Sequence, residues 1–566
     1  VIGLCAFTHD SAAALLVDGD LIGFVEEERL TGVKHTRAYP ERAVGWLLAT
    51  AGLTADDVTH AAYNFSTPRF LAALPAVPKH LADRRTRGRA LPRARGFARV
   101  YLRHRARERG LAGRFPDATV TTVAHHRAHG LYALGSSGYP DTAVLVVDSL
   151  GETCTTSIAH ATSDGRRTAY RVRRAVNDPA SLGYAYGAVT EHLGWRRGDE
   201  EGTVMALAAH GDPARFRAVL AQAITLRPDG FALDPGLLAL RVLASGHPRL
   251  SPAFTAATCP PRRPAEAVAQ VHADLAAALQ ERAEQALAHL ARLARRVTGA
   301  SRLCLTGGVA ANCVAVGRIA EAGWFDEVHV PPAPGDSGTA IGAAVAVHHA
   351  RTRTLPTGVA HRVYLGPAYP DAHRRAEARA AAVHVRRLTR PAREVAEHLA
   401  RGHVIGVFRG RVEAGPRALG NRSILASPLQ RDITERLNAA VKYREPFRPF
   451  APVVLAERAA DYVRLPQASP YMSLAVPVTA FARDRIPAIV HANGTARVQT
   501  VTRDDNPFLA RVLEEFDDLT GVPVLINTSL NVKGAPMAGT PDMALDTLLT
   551  SGLDALLLGE TWVTRR

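Results

Sequence analysis

Lysine is almost missing from this chain. Only Lys34, Lys79, Lys442 and Lys533 stand among 69 basic residues in 566, the rest being arginine. Against such a bias toward the planar guanidinium fork, a retained lysine marks a place where a compact ammonium is wanted. Cysteine is also sparse. Cys5, Cys154, Cys259, Cys304 and Cys313 are odd in number, scattered and never in a C-x-x-C pair, which excludes a disulfide framework or a zinc knuckle and predicts reduced thiols. No apolar run approaches the ~20 residues of a membrane span. The opening VIGLCAF leads straight to His9-Asp10 without the basic and apolar regions of a secretory leader. The expectation is a cytoplasmic protein with no membrane partner. No G-x-x-x-x-G-K-[ST] loop, nucleophile elbow or kinase signature occurs, so any nucleotide chemistry is not of the P-loop type.

What is present is an ordinary globular composition, 47% hydrophobic, long enough for at least two cores, with a formal charge of +16. That sign points to polyanionic partners, either nucleic acid or small phosphorylated ligands. Residues 1–29 read as three strands, VIGLCAF, AAALLV and LIGFVEE, joined by the polar loop Thr8–Ser11 and an Asp18-Gly19 hairpin turn. A similar strand-loop-strand unit returns at 143–161. Two such units separated by helical sequence predict a duplicated α/β architecture of the actin and sugar-kinase (ASKHA) type, over residues 1–350. Between them, residues 67–113 read as a helical insertion, with twelve Lys or Arg between 79 and 109 against Asp83 and Glu108. It has few aromatics to stack bases and no RNA-binding signature, so solvated helices shaping an acceptor pocket are favoured over a nucleic-acid arm. The aperiodic stretch 351–362 is expected to be a linker. Residues 363–566 alternate helix and strand as a smaller α/β domain.

In that second domain GRVEAGPRALGNRS, at 410–423, has the composition of a rigid anion cradle, with Arg417 and Arg422 able to fork onto phosphate or carboxylate oxygens. VKYREPFRPFAP follows with Lys442, Arg444 and Arg448, then Arg497, then PVLINTSLNVKGAP with Asn527, Ser529, Asn531 and Lys533. Such groups could surround a triphosphate and an acyl phosphate by preorganised charge. In the first domain His125 and His129 stand at i and i+4 on one helical face. Asp148, ending a buried strand, and Asp336, in PGDSG, could complete a shell suited to Fe, Mn or Zn. By pattern alone the histidines could equally be structural.

Taken in order, FTHDSAAALLVDG, FVEEERLTGVKH, HHRAH, VDSLGE, EGTVMALAAHG, TGGVAANC, PGDSG, GPRALGNRS, K-x-R-E-x-x-RPFAP and NTSLN resemble the carbamoyltransferase family that modifies antibiotics and nodulation factors. The resemblance spans nearly the whole chain. It implies an N-terminal domain like the tRNA threonylcarbamoyladenosine enzymes with bound Fe(II), and a YrdC-like C-terminal domain. The latter would make carbamoyl adenylate from carbamoyl phosphate and ATP, with Mg. An acceptor hydroxyl on a small natural product would then take the carbamoyl group in the first domain. On this reading Arg417, Lys442, Arg448, Arg497, Asn527 and Lys533 serve activation. His125, His129, Asp148 and Asp336 hold the metal; Gly151, Glu152, Gly307, Gly308 and Asn312 hold the adenylate; His9 is the transfer base, an imidazole able to take a hydroxyl proton near neutral pH. Thr203 and Gly534-Ala535-Pro536 depart from the family's usual EGKVMGLA and GEP. Two other readings remain at this level, a tRNA threonylcarbamoylation enzyme and a non-catalytic nucleotide- or nucleic-acid-binding protein on the same fold. Neither the acceptor nor the oligomeric state is encoded; a homodimer is only the commonest arrangement.

Overall fold

The computed structural model describes residues 1–244 and 246–566. The first three predicted strands form as β1 (Ile2–Cys5), β2 (Ala12–Val17) and β3 (Asp20–Glu26). Asp18 and Gly19 both take positive φ, 48° and 84°, as a tight hairpin turn between right-twisted strands requires. β4 (His60–Tyr63) and β5 (Thr119–Thr122) add in parallel, giving the order β3-β2-β1-β4-β5. The second unit repeats this plan. β6 (Asp141–Gly151), β7 (Cys154–Ser163) and β8 (Thr168–Asn177) run antiparallel. Beyond a hairpin of β9 (Ile224–Arg227) and β10 (Gly230–Leu233), β11 (Arg302–Thr306) and β12 (Glu327–His329) join β6 in parallel. The order β8-β7-β6-β11-β12 is that of the first sheet, so the duplication read from the sequence is a property of the fold.

The insertion is helical, a 3₁₀ segment at Thr67–Ala76, a short helix at Val77–Ala82 and a long one at Arg87–Arg114. Its inner face buries Phe70, Phe97 and Leu111 against the first sheet, and Arg93 reaches Asp178 at 2.5 Å. A long amphipathic helix spans Gln270–Thr298, with Leu275, Leu279, Leu287 and Leu290 inward.

The stretch 351–362, expected as a linker, runs along the first domain: Leu21 N–H donates to Thr357 O at 3.1 Å, and His361 N–H to Ser136 O at 3.0 Å. The second domain is a nine-stranded mixed sheet of β13 (Val383–Arg387), β14 (Ile405–Phe408), β15 (Arg422–Ala426), β16 (Ala451–Leu455), β17 (Leu474–Pro477), β18 (Thr495–Val501), β19 (Val524–Ser529), β20 (Ala555–Leu558) and β21 (Thr561–Arg565). Its order is β13-β21-β20-β14-β15-β19-β16-β18-β17. β14, β15 and β16 are buried along their whole length, which explains the unbroken apolar runs of β14 and β16.

The two domains are locked together. The Gln467 side chain pairs with both backbone groups of Val328 at 2.8 Å, extending the edge strand β12. The helix Cys313–Glu321 meets β17 so closely that a Cβ on Gly317 would lie 2.0 Å from Ala475 O, so only glycine fits. Among the described residues no helix is long and apolar enough to cross a membrane.

Candidate functional site

Between the domains lies a cavity of about 1830 Å³. His9, Asp148 and Asp336 line it from the first domain, and Arg417, Lys442, Arg448, Arg497, Asn527 and Lys533 from the second.

On the second-domain wall only one arginine of the expected cradle faces the cavity. Arg417 lines it. Arg422, expected to fork onto a ligand, instead has a fully buried side chain. It donates to Arg409 O at 2.7 Å and Gly410 O at 3.1 Å and stacks on Phe408 at 3.7 Å. Arg411 likewise serves carbonyls, Leu365 O at 2.6 Å and Gly366 O at 2.9 Å. The physical reason is that the loop's own carbonyls and Glu413 need partners. The Glu413 carboxylate accepts from the N–H groups of Leu419, Asn421 and Arg422 at 2.8–3.0 Å, stiffening the cradle from within. The loop docks on the first domain through Gly415, whose N–H donates to Glu26 and whose carbonyl accepts from Arg29, both at 2.8 Å.

Lys442 ends a π-helical turn, Leu437–Lys442, of the kind that recurs at functional sites. Its buried ammonium donates to Ser529 O at 2.8 Å, Asn531 O at 2.9 Å and Asn531 Oδ1 at 2.5 Å, which ties the loop after β19 to the motif before β16. Burial, followed by the charges of Arg444 and Arg448, pushes its pKa well below the ordinary lysine value. Burial and then Arg497 lower Arg417 to about 9. Arg497 Nε is buried without a partner. Among the described residues Arg448 has only Glu445 as an ion-pair partner, at 3.8 Å, and Lys533, half exposed at the rim, pairs with the same carboxylate at 3.1 Å. The Asn527 amide donates to Gln499 at 2.7 Å and leaves Oδ1 unpaired. Concentrated cations with so few counter-charges make a site for a polyanion.

On the first-domain wall the helix His125–Ser137 presents both histidines to the two aspartates. His125 Nε2 lies 3.1 Å from His129 Nε2, 3.5 Å from Asp148 and 3.4 Å from Asp336; His129 Nε2 is 3.7 Å from Asp336. These separations bracket the edge of about 3.4 Å of a tetrahedron built on bonds of about 2.1 Å. His125 Nδ1–H donates to Asn64 O at 3.2 Å, which leaves the Nε2 lone pair directed at the centre. Two imidazole nitrogens facing each other beside two carboxylates fit a divalent cation.

His9 sits in a network that the sequence reading did not include. Its Nδ1 is 2.7 Å from Asp10 Oδ2; Asp10 Oδ1 is 2.6 Å from His35 Nδ1; His35 Nε2 is 2.9 Å from Asp199, which also pairs with Lys34 at 2.5 Å. The imidazoles of His9 and His35 stack at 4.5 Å. Burial opposes the charge on His9, but Asp10 outweighs it and the pKa is raised; the same contest, with Asp10 and Asp199 on one side, lifts His35 to about 9. The retained Lys34 was the available signal, since its scarcity already marked it. Asp199 carried none.

Gly308 and Asn312 line the cavity; Gly307, Gly151 and Glu152 do not. Gly308 N–H donates to Asp148 at 3.2 Å, and Asn312 caps its helix through Ala315 N–H at 3.1 Å. Gly151 lies under the histidines, where a Cβ would be 2.5 Å from His126 Cδ2. The buried Glu152 accepts from Ser66 N–H at 2.7 Å and His125 N–H at 3.0 Å, bracing the start of the helix that carries both histidines. Thr203 is buried away from the cavity.

A profile described as Carbamoyltransferase N-terminus matches residues 1–345, and one described as Carbamoyltransferase C-terminus matches residues 396–565. Nodulation protein NolNO of Sinorhizobium fredii is 35% identical over 575 residues, covering 99% of this chain and 79% of its own. Nodulation protein NolO of Bradyrhizobium diazoefficiens is 37% identical over 448 residues, 78% of this chain and 79% of its own. Among solved structures, component A of (R)-2-hydroxyglutaryl-CoA dehydratase from Acidaminococcus fermentans aligns with 61% of this chain and 95% of its own at 14% identity and a TM-score of 0.28. With both profiles matched in order, and relatives aligned over most of its length, the chain belongs to the carbamoyltransferase family and is a carbamoyltransferase.

Proposed function

We propose that the enzyme is an ATP-dependent O-carbamoyltransferase that works in two steps at the two walls of the cavity. The observation that carries this reading is the cavity itself, which joins the guanidinium cluster to the His9 network and the two-histidine, two-aspartate centre. In the first step water cleaves carbamoyl phosphate to carbamate and inorganic phosphate, the carbamate oxygen then bonds to the α-phosphorus of MgATP, and pyrophosphate leaves. Arg417, Arg448 and Arg497 neutralise the phosphates as charge moves, and Lys442 holds the Ser529–Asn531 loop against them.

In the second step the acceptor hydroxyl oxygen bonds to the carbamoyl carbon, its proton passes to His9 Nε2, and AMP leaves. Asp10 takes the His9 Nδ1 hydrogen bond, fixing the tautomer in which Nε2 is the base and stabilising the imidazolium that forms. His125, His129, Asp148 and Asp336 would hold the metal, for which Fe(II), Mn(II) and Zn(II) all suit the donor set. When bound, the ion supplies Lewis acidity toward an oxygen of the anhydride. Gly308 and Asn312 lie beside that centre, where they can contact the adenylate.

The test is to supply ATP and carbamoyl phosphate without acceptor. Pyrophosphate and carbamoyl adenylate are expected, and His9→Asn should still make both while losing transfer. A folded, metal-loaded protein that forms no adenylate would sink the two-step reading.

A further inference from the structure

A Cβ built on Gly198 would stand 3.4 Å from His9 Nε2. The hydroxyl that gives its proton to that nitrogen must therefore lie against the turn containing Gly198, and the residue before it is Arg197. The Arg197 stem crosses the helix Leu182–His192 at Gly187, where a Cβ would come within 2.7 Å of Arg197 Cγ. A glycine thus makes the groove that directs this guanidinium along the cavity wall.

The acids that follow it are engaged elsewhere. Asp199 pairs with Lys34 and His35, Glu200 accepts from Arg196 N–H at 2.8 Å, and Glu201 accepts from Gly198 N–H at 2.6 Å. None forms an ion pair with Arg197 among the described residues.

Arg241 lines the same cavity and is 5% exposed. Its guanidinium lies 4.5 Å from the Tyr184 ring centroid, on the same helix that carries Gly187. Its Nε is 3.0 Å from Asp178, but that carboxylate also serves Arg93 at 2.5 Å, and Arg241 Nη2 is buried without a partner among the described residues. One carboxylate between two arginines leaves a net positive charge, and Arg197 adds a second. Burial and then the charge of Arg249 hold Arg197 below the ordinary arginine range, with Arg241 adding to this and the carboxylates of Glu191 and Glu201 opposing it; a bound anionic group would act in the same sense as those carboxylates.

We infer that the acceptor is anionic, a hydroxy acid or a hydroxyl-bearing phosphate, whose carboxylate or phosphate docks on Arg197 and Arg241 while its hydroxyl lies at His9. The inference rests on the two-step reading for the role of His9, and the anion passes through the reaction unchanged.

The probes are matched pairs: mandelate against methyl mandelate, methyl glucuronide against its methyl ester, and glucose 6-phosphate against glucose. Binding is read by ligand-observed NMR and carbamate formation by mass spectrometry, on the full-length, metal-loaded protein. The anionic member of at least one pair should bind ~10- to 100-fold tighter, the worth of a charge-assisted hydrogen-bond pair. The carboxylate and phosphate pairs separate the two kinds of acid. Arg197→Gln should abolish the preference and Arg197→Lys retain part of it, with melting curves confirming that both fold. Neutral members bound as well or better in every pair, or an anionic preference that survives Arg197→Gln, overturns the inference. Absence of pyrophosphate release from the wild type given only ATP and carbamoyl phosphate fells the two-step reading instead, and the binding comparison still decides this one.

Discussion

Replacing Arg417 by Met should stabilise the ligand-free protein while disabling its first chemical step. Arg417 lines the cavity, and burial together with Arg497 and Arg448 holds its pKa down to about 9. Repulsion between neighbouring guanidiniums at an effective dielectric near 20 is on the order of 2 kcal/mol. Solvent and salt in an open cavity screen part of that, leaving a gain of about 1 kcal/mol for the variant. For a domain of 150–250 residues that is a rise of about 2–4 °C in Tm. The sign with pH follows from linkage. Because the folded-state pKa lies below the unfolded one, the folded protein binds fewer protons from about pH 9 upward, so wild-type stability rises through that range as the penalty lapses. The variant lacks that rise, and its advantage is fully present below pH 9. Function moves the other way. Loss of one preorganised cation costs about 10²- to 10³-fold in a step that develops anionic charge. The assay is differential scanning fluorimetry at pH 7–10 with and without ATP, beside pyrophosphate release from ATP and carbamoyl phosphate. A variant that melts below the wild type without ligand, or keeps pyrophosphate release within about threefold, refutes the reasoning.

Asp10→Asn removes the group that raises the His9 pKa. A base works unprotonated, so the acid limb of transfer from supplied carbamoyl adenylate should move to lower pH while the plateau falls; an unmoved limb contradicts the assignment. Lys442→Ala strands Ser529 O and Asn531 O, at a cost of about 1–3 kcal/mol, and should lose pyrophosphate release while sparing transfer from supplied adenylate. Asp336→Ala should lower bound metal measured by mass spectrometry and abolish transfer, with pyrophosphate release retained; full metal occupancy in that variant would exclude Asp336 from the ligand set.

How far these features could be read from the sequence depended on the range of the interactions that fix them. The duplicated strand order was legible because each unit is written locally, in apolar runs and an Asp18-Gly19 turn that dictates its own hairpin. The histidine pair was legible because i and i+4 share a helical face whatever lies opposite. The cradle was legible as a composition but not in its assignments. Arg411, Arg417 and Arg422 are alike in sequence, and only the three-dimensional demand of the Arg409, Gly410, Leu365 and Gly366 carbonyls turns two of them inward. Glu152 shows the same limit: a carboxylate in a polar loop reads as a ligand group, and its hydrogen bond from the N-terminus of the helix at His125 cannot be seen in the sequence.

The His9 relay and Arg197 were the least legible, because each depends on segments some 165 residues apart meeting, as Lys34 and Asp199 do. The proposed selectivity for an anionic acceptor rests on this same meeting. The turn that brings Asp199 to His35 also sets Gly198 against His9 and Arg197 beside it. The acidic end of the relay faces the imidazoles, and the free guanidinium faces the cavity. On the proposed reading an acceptor would present its hydroxyl past Arg197, so the turn that orients His9 would also filter what reaches it.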